Sequence, residues 1–322
     1  MLPVHDDYLL EDFLEDFEND NPETFRGIHV DIQVNFIENK ETEGVNALLR
    51  SIKLKCYKFA LCILELLPKS RWDIVSAKDG NGNNSLQLLI LDMEKRTNDG
   101  VQLSTQQKSE TTDNEIIENI LNLLLSFDRT ADLISNRNNK KISAVVQTAT
   151  SNSKYIAGWT ETLLVKVDLE NQLGIIGIRE ERSGARDQAA SLKPSPNDVT
   201  SVEGYNLLLL ALKNENWKSP SDYIIKILQQ AKLTRTTTDL HLIVIRENEV
   251  VPSGIFIAAK QFRWDAMRDL IELIDENKKV PALLAYFDSE SAIQILLQQN
   301  NLEELDKLLT ELWHKSPDSN IC

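Results

Sequence analysis

Apolar residues along this chain gather in short clusters at helical spacing, and the clusters come in pairs separated by polar turns. In Ser221–Lys232, for example, Ile224, Ile225, Ile227, Leu228 and Ala231 cover one face of a helix. Three of the paired segments open on the same words: "GVNAL" (Gly44 to Leu48), "GNNSL" (Gly82 to Leu86) and "GYNLL" (Gly204 to Leu208). Each runs straight into an apolar stretch, "LLRSI", "LQLLI" or "LLLAL". The residue types explain the spacing. Glycine allows the positive φ of a tight turn, asparagine two residues on accepts backbone N–H groups as a helix N-cap, and leucine begins the buried stripe. A second apolar segment follows each first one, at Lys58–Leu67, Asn114–Phe127 and Ser221–Lys232. The pattern predicts a repeated unit of turn, cap, helix and second helix.

Two later segments read as further copies, Ala258–Ile274 and Ala292–Trp313, and Lys140–Ala149 starts a poorer one. Two polar stretches, Glu94–Glu115 and Arg179–Ser201, read as exposed loops. The chain is therefore organised as an acidic amphipathic leader (1–25), a repeat array (26–315) with loop insertions near 94–115 and 179–201, and a flexible tail (316–322).

The words that define the repeat resemble the ankyrin family, whose pattern is DxxGxTPLHxAA, a short loop and a second helix ending in paired leucines. "DGNGNNSLQLLI" matches it at Asp79, Gly82 and Leu86, with Asn84 and Ser85 at the Thr and Pro positions and Gln87 departing at the His position. The second half of the pattern is matched by "AAKQFRWDAMRDLIELI" (Ala258 to Ile274). The resemblance covers roughly residues 40 to 313. It implies an all-α, ankyrin-like solenoid of stacked helix pairs with irregular insertions and a concave binding face.

Composition agrees with a helical reading and removes several functions. Glycine, 11 of 322 residues, is about half its usual ~7% share, too sparse for the turns of a nucleotide-binding sheet. The formal charge of −15 argues against nucleic acid as a partner, and no apolar run approaches the ~18 residues that cross a membrane. Cys56, Cys62 and Cys322 make no disulfide framework and no CxxC pair, as in a reducing, cytoplasmic compartment. "KDGNGNNS" raises the question of a phosphate loop, but no lysine follows Gly82 before Lys95 and the third glycine of a dinucleotide fingerprint is missing. The arginines of "GIIGIREERSGAR" are diluted by glutamates and read as an exposed helix end. His5, His29, His241 and His314 fall in no metal or catalytic spacing. The expectation is a protein without cofactor, metal or catalytic residues, and not an enzyme.

The remaining chemistry is that of an interaction surface. Trp217 and Trp264 lie near inter-helix turns, and Arg263, Arg50 and Lys53 offer positive charge to an acidic partner. In the leader, Phe13 and Phe17 belong to an apolar stripe opposite a row of acids, which suits either a cap over the first repeat or a motif for a partner's groove. Degenerate repeats, Asn- and Lys-rich loops and an acidic leader are similar to the ankyrin-containing effectors that intracellular bacteria such as Legionella inject into host cells. That resemblance implies a host protein as partner and export to the host cytosol. The alternatives are an enzyme using the non-repeat segment 128–201, or a regulatory or inhibitory subunit acting through the leader.

Overall fold

A computed structural model describes residues 19–27, 37, 46–98, 107–177, 205–214, 216–234, 240–245, 252–299 and 301–315. Among them are eighteen helices and no β-strand, only isolated bridges at Arg137–Ser143 and Phe287–Glu290. The protein is mostly helical, as its apolar periodicity requires. None of the described helices is long and apolar enough to cross a membrane. The chain divides into two compact units, Met1–Thr148 and Ala149–Cys322.

In the first unit a short α1 (Glu23–Arg26) precedes α2 (Ala47–Lys53), α3 (Tyr57–Leu66) and α4 (Trp72–Val75). Then come α5 (Ser85–Asn98), α6 (Gln107–Leu124), α7 (Thr130–Ser135) and α8 (Ala144–Thr150), which runs across the boundary of the units. Helices α2 and α3 pack as one pair and α5 and α6 as another. Like then stacks on like, α2 on α5 and α3 on α6. The apolar stripes account for this: Leu48, Leu49 and Ile52 of α2 and Phe59, Ala60 and Ile63 of α3 are all buried. Each such large side chain contributes about 1.5–3 kcal/mol on burial.

The second unit repeats the arrangement. It contains α9 (Lys154–Val165), α10 (Leu169–Gly177), α11 (Leu207–Lys213), α12 (Ser219–Leu233) and α13 (Leu240–Val244). It continues with α14 (Gly254–Lys260), α15 (Trp264–Leu273), α16 (Glu276–Leu284), α17 (Ala292–Gln298) and α18 (Leu302–Lys315). The pairs are α11 with α12, α14 with α15 and α17 with α18. First helices stack as α11 on α14 on α17, and second helices as α9 on α12 on α15.

The asparagine of the sequence motif does more than cap. Asn46, Asn84 and Asn206 each accept, on Oδ1, the N–H of the residue three positions on, at 2.9–3.0 Å. Their Nδ2 groups then donate to Ile74, Leu133 and Ile243 carbonyls, at 2.7, 3.0 and 2.8 Å. Those carbonyls belong to α4, α7 and α13, helices of four to six residues that are too short to persist alone. One amide thus ties the start of a first helix to the short helix that follows its pair or precedes the next, with its oxygen accepting for the cap and its nitrogen donating for the stitch. Gln87, the departure from the family pattern, completes a capping box by accepting from the Asn84 N–H at 3.0 Å. Its Nε2 donates to the Ile142 carbonyl at 2.7 Å. Helices α14 and α17 are capped instead by Ser253 and Ser291.

Two expectations about connections change. The stretch 94–115 is not one loop, since α5 runs to Asn98 and α6 begins at Gln107. The segment 128–201 carries four helices, α7 to α10, before residue 178. The loop at 179–201, the leader before residue 19 and the tail at 316–322 lie outside the described residues, as do Gly44 and Gly204.

Candidate functional site

The glycine–asparagine turn is a nest whose anion is the chain's own. Asp79 Oδ1 accepts the N–H groups of Asn81 and Asn83 at 2.9 and 2.8 Å, and its Oδ2 accepts from Asn83 Nδ2 at 3.4 Å. The donors a phosphate would use are therefore taken. A second loop is built the same way, with Asn138 Oδ1 accepting from the Lys140 and Ile142 N–H groups at 3.0 and 3.1 Å. Both loops place a left-handed residue at the same point, Gly82 at φ +78° and Lys141 at +65°. They interlock: Asn138 Nδ2 donates to Asn83 Oδ1 at 2.9 Å, and Asn139 donates from N–H to Asn81 O and from Nδ2 to Gly80 O, each at 3.0 Å. A Cβ on Gly82 would lie 2.4 Å from Asn139 Oδ1 and 2.8 Å from its backbone N. Asparagine density in this stretch serves loop-to-loop stitching.

The turn between α14 and α15 gathers the most unusual set of side chains. The α14 helix ends in a Schellman-type cap, the Phe262 N–H donating to Ala259 O at 3.0 Å and the Arg263 N–H to Ala258 O at 2.9 Å. This cap places Phe262 at φ +56°, a backbone state that favours Gly or Asn and costs a bulky residue about 1–2 kcal/mol. The ring is nonetheless 52% exposed. It meets half-buried Trp264 edge-on, with centroids 5.9 Å apart and planes at 65°. Between the two aromatics Arg263 turns inward: its side chain is only 5% exposed and its Nη2 donates to Asp222 at 2.5 Å. Nη1 is buried with no hydrogen-bond partner. Burial pushes this guanidinium below its ordinary pKa, against the opposing pull of Asp222.

The sequence-selected residues therefore divide by location. Trp264 sits at the exposed turn, whereas Arg263 is a buried ion-pair partner rather than an open cation. Arg50 is half-buried and Lys53 exposed on α2 of the first unit. Trp217 is half-buried ahead of α12, its indole N–H donating to Asn152 O at 2.8 Å. Phe13 and Phe17 lie outside the described residues. The end of the leader is described and packs on α3: Asp20 accepts the Lys58 and Phe59 N–H groups at 3.2 and 2.9 Å, which caps that helix. Burial raises the Asp20 carboxyl above its ordinary pKa, partly offset by those two bonds. Phe25 is fully buried 5.2 Å from the Phe59 ring, and Arg26 pairs with Glu65 at 3.1 Å.

Phe262 and Lys55 were missed as positions of interest. The only sequence signal was a residue of the wrong type where a helix stops before a turn, a place where glycine is expected. Elsewhere, the Tyr57 hydroxyl donates to Asp92, which also receives Lys55 and Arg96 at 3.2 and 3.1 Å. Burial and that carboxylate push the phenol's pKa upward. His241 is buried in α13. The described residues hold no group of three or more His, Cys, Asp or Glu arranged to share a metal. No protein-family model matches the chain, and a search of curated proteins finds no significant relative.

Proposed function

We propose that this chain is a protein–protein interaction scaffold: an ankyrin-like array of stacked helix pairs that holds another protein, a host protein if the chain is an exported effector. The inner face and the inter-helix turns carry the contacts, and the leader's end, Asp20 to Phe25, serves as a cap on the first pair. The stacking of like helices on like within each unit and the Asn-closed repeats support the array. The observation that carries the binding reading is Phe262. A large aromatic ring is kept exposed at a backbone position that penalises it, beside a second aromatic, and such outliers gather where a surface works.

Replacing Phe262 by Gly separates stability from binding. Relief of the left-handed strain raises the melting temperature by about 2–4 °C, equivalent to about 1 kcal/mol in a unit of this size. Affinity capture from eukaryotic lysate with wild type then recovers a partner that Phe262→Gly and Trp264→Ala lose, although the first variant is the more stable protein. Equal recovery by all three proteins would overturn the reading.

A further inference from the structure

The interlocked turns of the first unit reverse the sign of the chain. Residues 76–84 and 136–144 hold Lys78, Arg137, Lys140 and Lys141 against one acid, Asp79. That acid is buried and its carboxylate is occupied by the Asn81 and Asn83 donors. Lys78, Lys140 and Lys141 are exposed, and none forms an ion pair with a described carboxylate. Lys78 donates to Arg137 O at 2.8 Å, which joins the first loop to the base of the second. Several other cations of this unit are held by acids, Arg26 by Glu65, Lys55 and Arg96 by Asp92, and Arg71 by Asp73. Three exposed lysines on two hydrogen-bonded loops, without an ion pair to a described carboxylate, thus stand in a chain of formal charge −15.

We propose that these paired turns bind a short Asp- and Glu-rich segment of the protein partner, whose carboxylates meet Lys78, Lys140 and Lys141. The proposal rests on the scaffold reading and supplies the partner's chemistry. A peptide fits better than a polyphosphate for two reasons. The backbone donors of both loops point inward at Asp79 and Asn138, which leaves no amide nest for phosphate oxygens. Duplex DNA carries a charge every ~1.7 Å, so most of it would extend past three lysines along an acidic chain. Ammoniums on flexible stems instead follow carboxylates in varied register.

The test is fluorescence anisotropy of a labelled decaglutamate peptide titrated with the full chain. Wild type should bind, with affinity on the order of tenfold weaker at about 200 mM than at about 50 mM salt. The variant K78Q/K140Q/K141Q should weaken binding about tenfold or more, while its melting curve overlays wild type. The charge-matched variant K154Q/K166Q/K226Q, exposed lysines of the second unit, should bind as wild type does. Absence of binding, equal weakening by the two triple variants, or tighter binding of duplex DNA than of the peptide would each overturn the proposal. If the peptide fails while partner capture still depends on Phe262, only this proposal falls; if capture is also independent of Phe262, the scaffold reading falls with it.

Discussion

The α2–α3 turn and the α14–α15 turn share one backbone and use it differently. In the first, Lys55 sits at φ +66°, its N–H donating to Ile52 O at 3.1 Å and the next N–H, of Cys56, to Ser51 O at 2.9 Å. In the second, Phe262 takes the same place with the matching bonds at 3.0 and 2.9 Å. Both pay the cost of a side chain in the left-handed region. Lys55 offsets it within the molecule, by placing its ammonium 3.2 Å from Asp92 on the neighbouring pair. Phe262 has an edge contact with Trp264 and an otherwise open face. Equal strain with unequal internal return separates a residue whose side chain ties two helix pairs together from one whose side chain does not.

The comparison can be pushed to its limit at Gly82, where the left-handed residue has no room at all. Gly82→Ala should lose about 3 kcal/mol, from the φ penalty and from the contact with the Asn139 backbone, in a urea titration followed by circular dichroism. Next in size is an inward position without strain. Asn206→Asp keeps the helix-capping oxygen but sets a carboxylate against the Ile243 carbonyl, and should cost about 2 kcal/mol. Its sign with pH is definite: the introduced carboxyl must be protonated to donate that bond, so its folded-state pKa is raised. The deficit is therefore full above that pKa and narrows as pH falls through it, read as converging melting curves of variant and wild type. Asn206→Ser, which caps without stitching, should cost about 1 kcal/mol at any pH.

Smaller effects test the comparison itself. Phe262→Gly should stabilise by up to about 1 kcal/mol, the relief of about 1–2 kcal/mol exceeding the loss of the Trp264 contact and of the covered half of the side chain. Lys55→Gly gains the same relief and loses the Asp92 pair, so its net change should stay within about 0.5 kcal/mol of zero. If Lys55→Gly instead stabilised as much as Phe262→Gly, the ion pair would be worth nothing. The two turns would then no longer differ in kind.

Local chemistry was legible in advance to the extent that its partners were close in sequence. The N-cap roles of Asn46, Asn84 and Asn206 follow from an acceptor three residues before a free N–H, and the structure has all three. Paired apolar stripes, Lys58–Leu67 and Ser221–Lys232, match α3 and α12 within a few residues of their ends. The closing helices α4, α7 and α13 were not legible, because four to six residues are too few to show a helical period. Nor were the stitches onto them, which join residues 28 to 49 apart. Arg263 reads in sequence as a charge free for a partner, and its inward direction follows from the cap that precedes it.

What the sequence determined by itself was the class of fold and the places where helices begin, because capping, turn geometry and amphipathic periodicity act within a few residues. Only the tertiary structure decided which charges face out. Lys78 comes to share a surface loop pair with Lys140 and Lys141 because two loops 59 residues apart share hydrogen bonds, and Arg263 is hidden because Asp222 of another helix receives it. Exposure is set by whatever packs against a residue, and in stacked helix pairs that neighbour comes from an element far along the chain.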